Sequence, residues 1–460
     1  MTAPSRLLLT FYGDDFTGST DSTEVLEWAG IPSVLFLEPP TLDLLERRFP
    51  EIRAVGLAGI ARSMSPAQMD EALPPLFSAL KDLGAPAFHY KVCSTFDSSP
   101  TLGSIGRATE IGLSVFGEQT VPLVVGAPFL KRYVAFSNLF ARVDDITYRL
   151  DRHPTMSRHP ATPMNESDLR LHLGKQTTRR MGAINVLHLA LPPDELWRYF
   201  QCLQEGGAEI AVFDTIDDAH LMTVGGLLSQ VIEARQGAGP ALIVGSSGVE
   251  KALALHWQAC GHVTQPPPPP PLGPVKQLLV VSGSAAPGTA AQLDWAEANG
   301  FVMRRLDSVR LVDPATADEE RAAVVQSALE SLGAGHNLVL YSARGPDDPH
   351  ILGTKEHLER LALDPQSVGS LLGTQQGLIL KELLERTGLR RAIVTGGDTC
   401  GYASRQLGIY ALRTILPVAP GAPLCRAYAE NAAFDGLEIS LKAGQVGKVD
   451  YFGSILKGSQ

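Results

Sequence analysis

Two adjacent carboxylates, Asp14 and Asp15, stand directly after a short apolar run and before Phe16-Thr17-Gly18-Ser19-Thr20-Asp21. Carboxylates in that position can hydrogen-bond sugar hydroxyls or take up a proton as a general base. A plainer reading has Asp21 or Thr20 capping the next helix and Asp14 holding a turn. Capping accounts for one polar residue, not for two consecutive acids. A second cluster, Lys91-Val92-Cys93-Ser94-Thr95-Phe96-Asp97-Ser98-Ser99-Pro100, also follows an apolar run and precedes Gly103-Ser104-Ile105-Gly106. A lysine, several hydroxyls and the N–H groups of a helix start suit a small anion, although the same composition alone describes an ordinary loop. Arg62, in Ile60-Ala61-Arg62-Ser63, adds a guanidinium fork that a carboxylate could fill.

Small residues dominate the later candidates. Val281-Ser282-Gly283-Ser284-Ala285-Ala286-Pro287 and Ile393-Val394-Thr395-Gly396-Gly397-Asp398-Thr399-Cys400-Gly401 both read as strand-to-helix turns. Side chains this small let backbone amides close on an anion, and Asp398 is placed to reach a metal ion, a ribose or a helix cap. Leu441-Lys442-Ala443-Gly444-Gln445-Val446-Gly447 supplies a further lysine and glycines. The chain has no G-x-G-x-x-G, no G-x-x-x-x-G-K-[ST] and no H-R-D with D-F-G, so dinucleotide, P-loop and protein-kinase readings fail. Gly245-Ser246-Ser247-Gly248 is not a nucleophile elbow, and the histidines, His153 and His159 included, lack zinc-protease spacing.

These loops need strands to hold them. Short apolar runs at Leu7–Tyr12, Val34–Leu37, Ala54–Ala58, Ala87–Tyr90, Leu123–Val125, Ile184–His188, Ile210–Phe213 and Leu242–Val244 alternate with amphipathic stretches such as Pro66–Leu83, Ile105–Val115 and Asp217–Ala234. The pattern resumes with Gln277–Val281, Val302–Leu306, Leu338–Tyr341 and Arg391–Thr395, separated by Thr289–Asn299, Asp318–Leu332 and Ser367–Arg386. Such alternation predicts βαβ units and mostly parallel sheets flanked by helices, whose ligands bind beyond the carboxyl ends of the strands. Six prolines, Pro266 to Pro271, interrupt it. They form a stiff spacer. The expected organisation is an α/β chain of two domains: residues 1–262, a proline-rich linker over 263–274, and residues 275–460.

The 460 residues carry a net charge of −10 and are 44% hydrophobic, which suits large buried cores and argues against nucleic acid as a partner. No apolar run reaches the roughly 18 residues of a membrane helix. Asp14 follows Leu7-Leu8-Leu9 too soon for Met1–Tyr12 to read as a signal peptide. Five scattered cysteines without a C-x-x-C pair suggest no disulfide framework. A cytoplasmic enzyme is expected, with assembly into a homo-oligomer left open.

Taken in order, Asp14-Asp15-Phe16-Thr17-Gly18, Lys91-x-Cys93-Ser94-Thr95-Phe96-Asp97, Thr162-Pro163-Met164-Asn165-Glu166-Ser167-Asp168-Leu169, Val281-Ser282-Gly283-Ser284, Thr395-Gly396-Gly397-Asp398-Thr399 and Leu441-Lys442-x-Gly444 resemble the four-carbon acid sugar kinase family over nearly the whole chain. The resemblance implies ATP-dependent phosphorylation of the terminal hydroxyl of a small sugar acid of the threonate, erythronate or 3-oxo-tetronate type. It also implies an N-terminal acid-sugar domain and a C-terminal nucleotide domain. Nucleotide contacts would be Ser284, Gly396, Gly397, Asp398, Thr399 and Gly444; the acid sugar would draw on Asp14, Asp15, Arg62, Lys91, Ser94 and Thr95. Gly13, Cys400 and Gln445-Val446 depart from the common Ala, Ser and Asn-Phe. Gly126-Ala127-Pro128-Phe129-Leu130-Lys131-Arg132-Tyr133 does not resemble the Gly-Arg-Thr segment of 3-oxo-tetronate kinases, and Tyr12-Gly13-Asp14-Asp15 also admits a subgroup acting on a branched acid, 3-oxo-isoapionate.

On this reading Arg62, Lys91, Ser94 and Thr95 hold the acid, and Asp15, or failing it Asp14, is the base. The glycine loops cradle the phosphates, and Mg²⁺ bridges them with help from Asp398. The linker is expected to let the domains close. The rival readings are a non-catalytic acid-sugar sensor and an α/β hydrolase.

Overall fold

In the computed structural model, which describes residues 6–143, 145–159 and 161–459, the chain forms two compact units divided between Pro267 and Pro268. Met1–Ser5, the start of the segment weighed as a leader, lie outside the described residues.

The first unit contains β1 (Leu9–Gly13), β2 (Ser33–Phe36), β3 (Ala54–Ala58), β4 (Ala87–Lys91), β5 (Val121–Val124), a hairpin sheet of β6 (Arg132–Ala135), β7 (Asn138–Val143) and β8 (Ile146–Arg149), then β9 (Met181–Ile184), β10 (Ile210–Phe213) and β11 (Ala241–Gly245). Its main sheet runs β2-β3-β1-β4-β11-β5-β10-β9, and every pairing in it is parallel. Strands such as β10 and β11 are buried at every position, which is why they read as continuous apolar runs rather than alternating ones. Helices Phe16–Trp28, Pro66–Asp82 and Ile105–Phe116 make the crossovers. A capping box at Ser65 and Gln68 starts the second of these.

The second unit contains β12 (Leu279–Ser282), β13 (Val302–Arg305), β14 (Leu338–Tyr341), β15 (Arg391–Thr395), β16 (Ile409–Ala419), β17 (Ala422–Ala429) and β18 (Glu438–Lys442), ordered β13-β14-β12-β15-β18-β17-β16. Pairing is parallel as far as β18 and antiparallel beyond it. Its core gathers Leu278, Val280, Val339 and Ile393 with Leu424, Tyr451 and Phe452.

Two expectations need amendment. The predicted strand Ile184–His188 is in fact β9, ending at Ile184. Asn185 Oδ1 accepts from the N–H groups of Leu187 and His188 at 3.0 and 3.2 Å, a local turn that competes with strand pairing. The antiparallel strands β6 to β8 and β16 to β18 were not foreseen. In both units the chain leaves the first strand, builds two strands on one side, and returns to pair on the other. That places a topological switch point between β1 and β4, and another between β12 and β15.

Candidate active site

At the first switch point, β1 delivers Asp14 and Asp15. Asp15, not Asp21 or Thr20, caps helix Phe16–Trp28: its carboxylate accepts from Gly18 N at 3.1 Å and from the Thr17 hydroxyl at 2.8 Å. Arg62, on the turn after β3, donates from Nε and Nη2 to the Asp14 carboxylate at 3.2 and 2.7 Å, and from Nη2 to Asp15 Oδ1 at 2.7 Å. The fork foreseen for a ligand carboxylate is thus filled by the protein's own acids. The Asp14 side chain is 3% exposed and that of Asp15 22%. Burial pushes the Asp14 carboxyl above its ordinary range against the pull of Arg62. Burial acts on Asp15 too, but Arg62, Lys91, Thr17 and Gly18 together outweigh it and hold the carboxyl below the usual range.

Across the switch point β4 ends at Lys91, which is buried. A Cβ on Gly18 would stand 2.2 Å from Asp15 Oδ1 and 2.7 Å from Lys91 Nζ, so any larger residue would have to displace the acid and the lysine that crowd the helix start. Ser94 and Thr95 follow in the same loop, with Thr95 Oγ1 2.9 Å from Cys93 Sγ. The structure therefore gathers Asp14, Asp15, Arg62 and Lys91 at one strand edge, with Ser94 and Thr95 a few residues along.

Sequence reading missed what supports this edge. Val92 N donates to Gly245 O at 2.7 Å, tying the Lys91 loop to the end of β11. Below it His89 Nδ1 meets Glu250 Oε1 at 2.7 Å, both side chains wholly buried. These partners are 161 positions apart, and no local pattern could pair them. Asp21 lies inside the helix, its carboxyl pushed up by burial against the charge of Lys91.

The second unit answers with almost no charge. Helix Gly397–Gln406 opens at Gly396, which adopts φ +116 and leaves the first turn without a side-chain cap. Gly397 and Asp398 are exposed there, while Thr399 is buried. Free N–H groups at a helix start are a ready anion site. Thr399 donates to Gln376 Oε1 at 3.3 Å and Gln376 Nε2 donates to Ser282 O at 3.1 Å, joining the ends of β12 and β15. A Cβ on Gly283 would fall 2.0 Å from Thr399 Oγ1, and one on Gly444 would fall 2.2 Å from Ser284 Oγ. Thr289 donates to Gly444 O at 2.8 Å and stands 3.1 Å from Ser284 Oγ. Ser284, Gly396, Gly397, Asp398, Thr399 and Gly444 thus converge on one edge of the second unit. Beneath them lies Lys442, fully buried, its Nζ 3.2 Å from Thr395 Oγ1 and over the Tyr451 ring. Burial pushes its ammonium down to about 8.

Among the described residues no group of three or more His, Cys, Asp or Glu is placed to hold a metal ion, and no helix is long and apolar enough to cross a membrane.

Residues 9–253 match a sugar-binding N-terminal domain and residues 279–452 a nucleotide-binding C-terminal domain. The chain belongs to the four-carbon acid sugar kinase family. It is 44% identical to the 3-oxo-isoapionate kinase of Paraburkholderia graminis over 455 residues, covering 99% of this chain and 95% of that one. It is 29% identical to the 3-oxo-tetronate kinase of Methylobacterium radiotolerans, covering 98% and 99% of the two chains. In fold it resembles a crystal structure from Haemophilus influenzae, with a TM-score of 0.70 at 22% identity over 96% of this chain and 98% of the other. The chain is an acid sugar kinase, and neither the hydrolase nor the sensor reading is favoured.

Proposed function

We propose that this kinase transfers the γ-phosphoryl group of ATP to the terminal hydroxyl of 3-oxo-isoapionate or a closely similar branched sugar acid. The observation that carries the choice of substrate is the 44% identity to a 3-oxo-isoapionate kinase along 99% of the chain, against 29% for the 3-oxo-tetronate kinase compared with it.

Phosphoryl transfer asks mainly for positioning and for neutralised charge. In the first unit Lys91, with the hydroxyls of Ser94 and Thr95, takes the substrate's carboxylate and oxygens. Arg62 sets the two aspartates rather than the substrate. Asp15 is the base: it is ionised at neutral pH and is the more exposed of the acids held by Arg62. In the second unit the N–H groups at Gly396–Thr399 and the small residues Ser284 and Gly444 receive the polyphosphate. Asp398 is the carboxylate there that would hold Mg²⁺, which needs one or two protein carboxylates beside phosphate oxygens and water. Bound Mg²⁺ would neutralise phosphate charge. The cytoplasm, with its ATP, is the compartment this activity requires.

A coupled ADP-release assay over a panel of sugar acids, with ³¹P NMR of the product, tests the reading. Turnover is expected to be fastest with 3-oxo-isoapionate. Faster turnover with 3-oxo-tetronates would overturn the substrate assignment, and binding without ADP release would overturn the activity.

A further inference from the structure

Asp97 shares the loop of Lys91, Ser94 and Thr95, yet phosphoryl transfer as proposed for this site gives it no task. Its residue is 8% exposed, and its Oδ1 is buried with no hydrogen-bond partner among the described residues. Buried carboxylate oxygens are nearly always bonded, and one left bare marks a place where a donor belongs. The residue before it, Phe96, is fully buried and holds φ 58, a left-handed conformation that an aromatic residue rarely adopts.

A second bare acceptor lies close by. His172 Nδ1 is also buried without a partner among the described residues. Ser98 Oγ donates its proton to Phe96 O at 2.9 Å and accepts from Gln176 Nε2 at 2.9 Å. The His172 Nε2 at 3.0 Å from that oxygen must then be the donor, which leaves Nδ1 unprotonated. Burial, more than the nearby Lys175, pushes the imidazole down to about 4, so it stays neutral at working pH. The charge of Asp97 is felt by both His172 and Cys93, and Cys93 also feels Arg62 and Lys91. Asp97 is thus within electrostatic reach both of Cys93, in the Lys91 loop, and of His172.

The two acceptors lack donors, which rules out a carboxylate or phosphate as their natural partner. They also lack a third ligand, since no metal-holding group of His, Cys, Asp or Glu occurs among the described residues. Neighbouring hydroxyls on a sugar chain supply what both atoms need. We propose that Asp97 accepts a hydrogen bond from a hydroxyl of the acid sugar, with His172 Nδ1 accepting a second, so that this pocket selects a vicinal diol in the substrate. The inference rests on the acid-sugar reading of the first unit.

The test compares wild type, Asp97→Asn and His172→Gln with 3-oxo-isoapionate and with its monodeoxy analogues, reading ADP release and, by calorimetry, sugar-acid affinity. Wild type should prefer the fully hydroxylated acid by about thirtyfold or more, because a site built around a hydroxyl leaves its acceptors bare with the analogue. In Asp97→Asn, KM should rise about tenfold with kcat nearly unchanged, and the preference should shrink to about threefold; His172→Gln should move the same way by less. Unchanged preference in both variants overturns the proposal. So does a loss confined to Tm with KM intact, which would mark a structural water. A wild type that binds with this preference but releases no ADP contradicts the kinase reading while supporting Asp97.

Discussion

In the first unit β3 and β4 flank β1 with β2 outside; in the second β14 and β15 flank β12 with β13 outside. The strand ends at the two switch points are equivalent, yet their contents are opposite. At the first stand two aspartates bridged by an arginine, with a buried lysine beside them; at the second stand glycines, hydroxyls and an uncapped helix start. A small acid offers few atoms, so recognition must come from a few charged groups set rigidly. A polyphosphate offers many oxygens, so backbone N–H groups suffice, provided no side chain obstructs them. On the proposed assignment one backbone layout would serve two ligands, the difference lying in the loops at the strand ends.

That contrast can be broken from either side. The largest effect is expected for Asp15→Asn, where loss of the proposed base should lower kcat about a thousandfold while ATP affinity stays within about twofold, measured by ADP release and calorimetry. Next is Gly283→Ala. Its Cβ would fall 2.0 Å from Thr399 Oγ1, so ATP affinity should drop about a hundredfold. Arg62→Met leaves two acids without their shared partner and should destabilise the protein by about 3 kcal/mol in denaturant titration. The smallest effect belongs to Lys442. Burial lowers its pKa to about 8, so its charge is present below that value and lost above it. ADP affinity should fall about fivefold from about pH 7.5 to about pH 9.5 and stay flat, at the weaker value, in Lys442→Met. Cys400 beside it does not titrate in this window, because burial pushes its thiol up to about 12.

The parallel α/β plan was legible because fully buried strands leave unbroken apolar runs, as at β10, β11 and β14. Helix starts were legible where small polar residues cap them, as at Ser104. What escaped was whatever depends on distant pairing. The β16–β18 arrangement, the His89–Glu250 pair and the Gln376 bridge to Ser282 each join residues that share no local pattern. The candidate site was legible as a set of loops, since Asp14-Asp15, Lys91 and Gly396-Gly397 all lie at strand ends. The partner of Arg62 was not, because its fork suits an internal carboxylate as well as a ligand's.

The division of labour between the units is tested most directly by titrating ATP and 3-oxo-isoapionate separately into Lys91→Met and Gly283→Ala. Lys91→Met should lose about thirtyfold or more in affinity for the sugar acid and keep that for ATP, and Gly283→Ala should do the reverse. If either variant lost the other's ligand instead, the sugar acid and the nucleotide would not be held at the two switch points assigned to them.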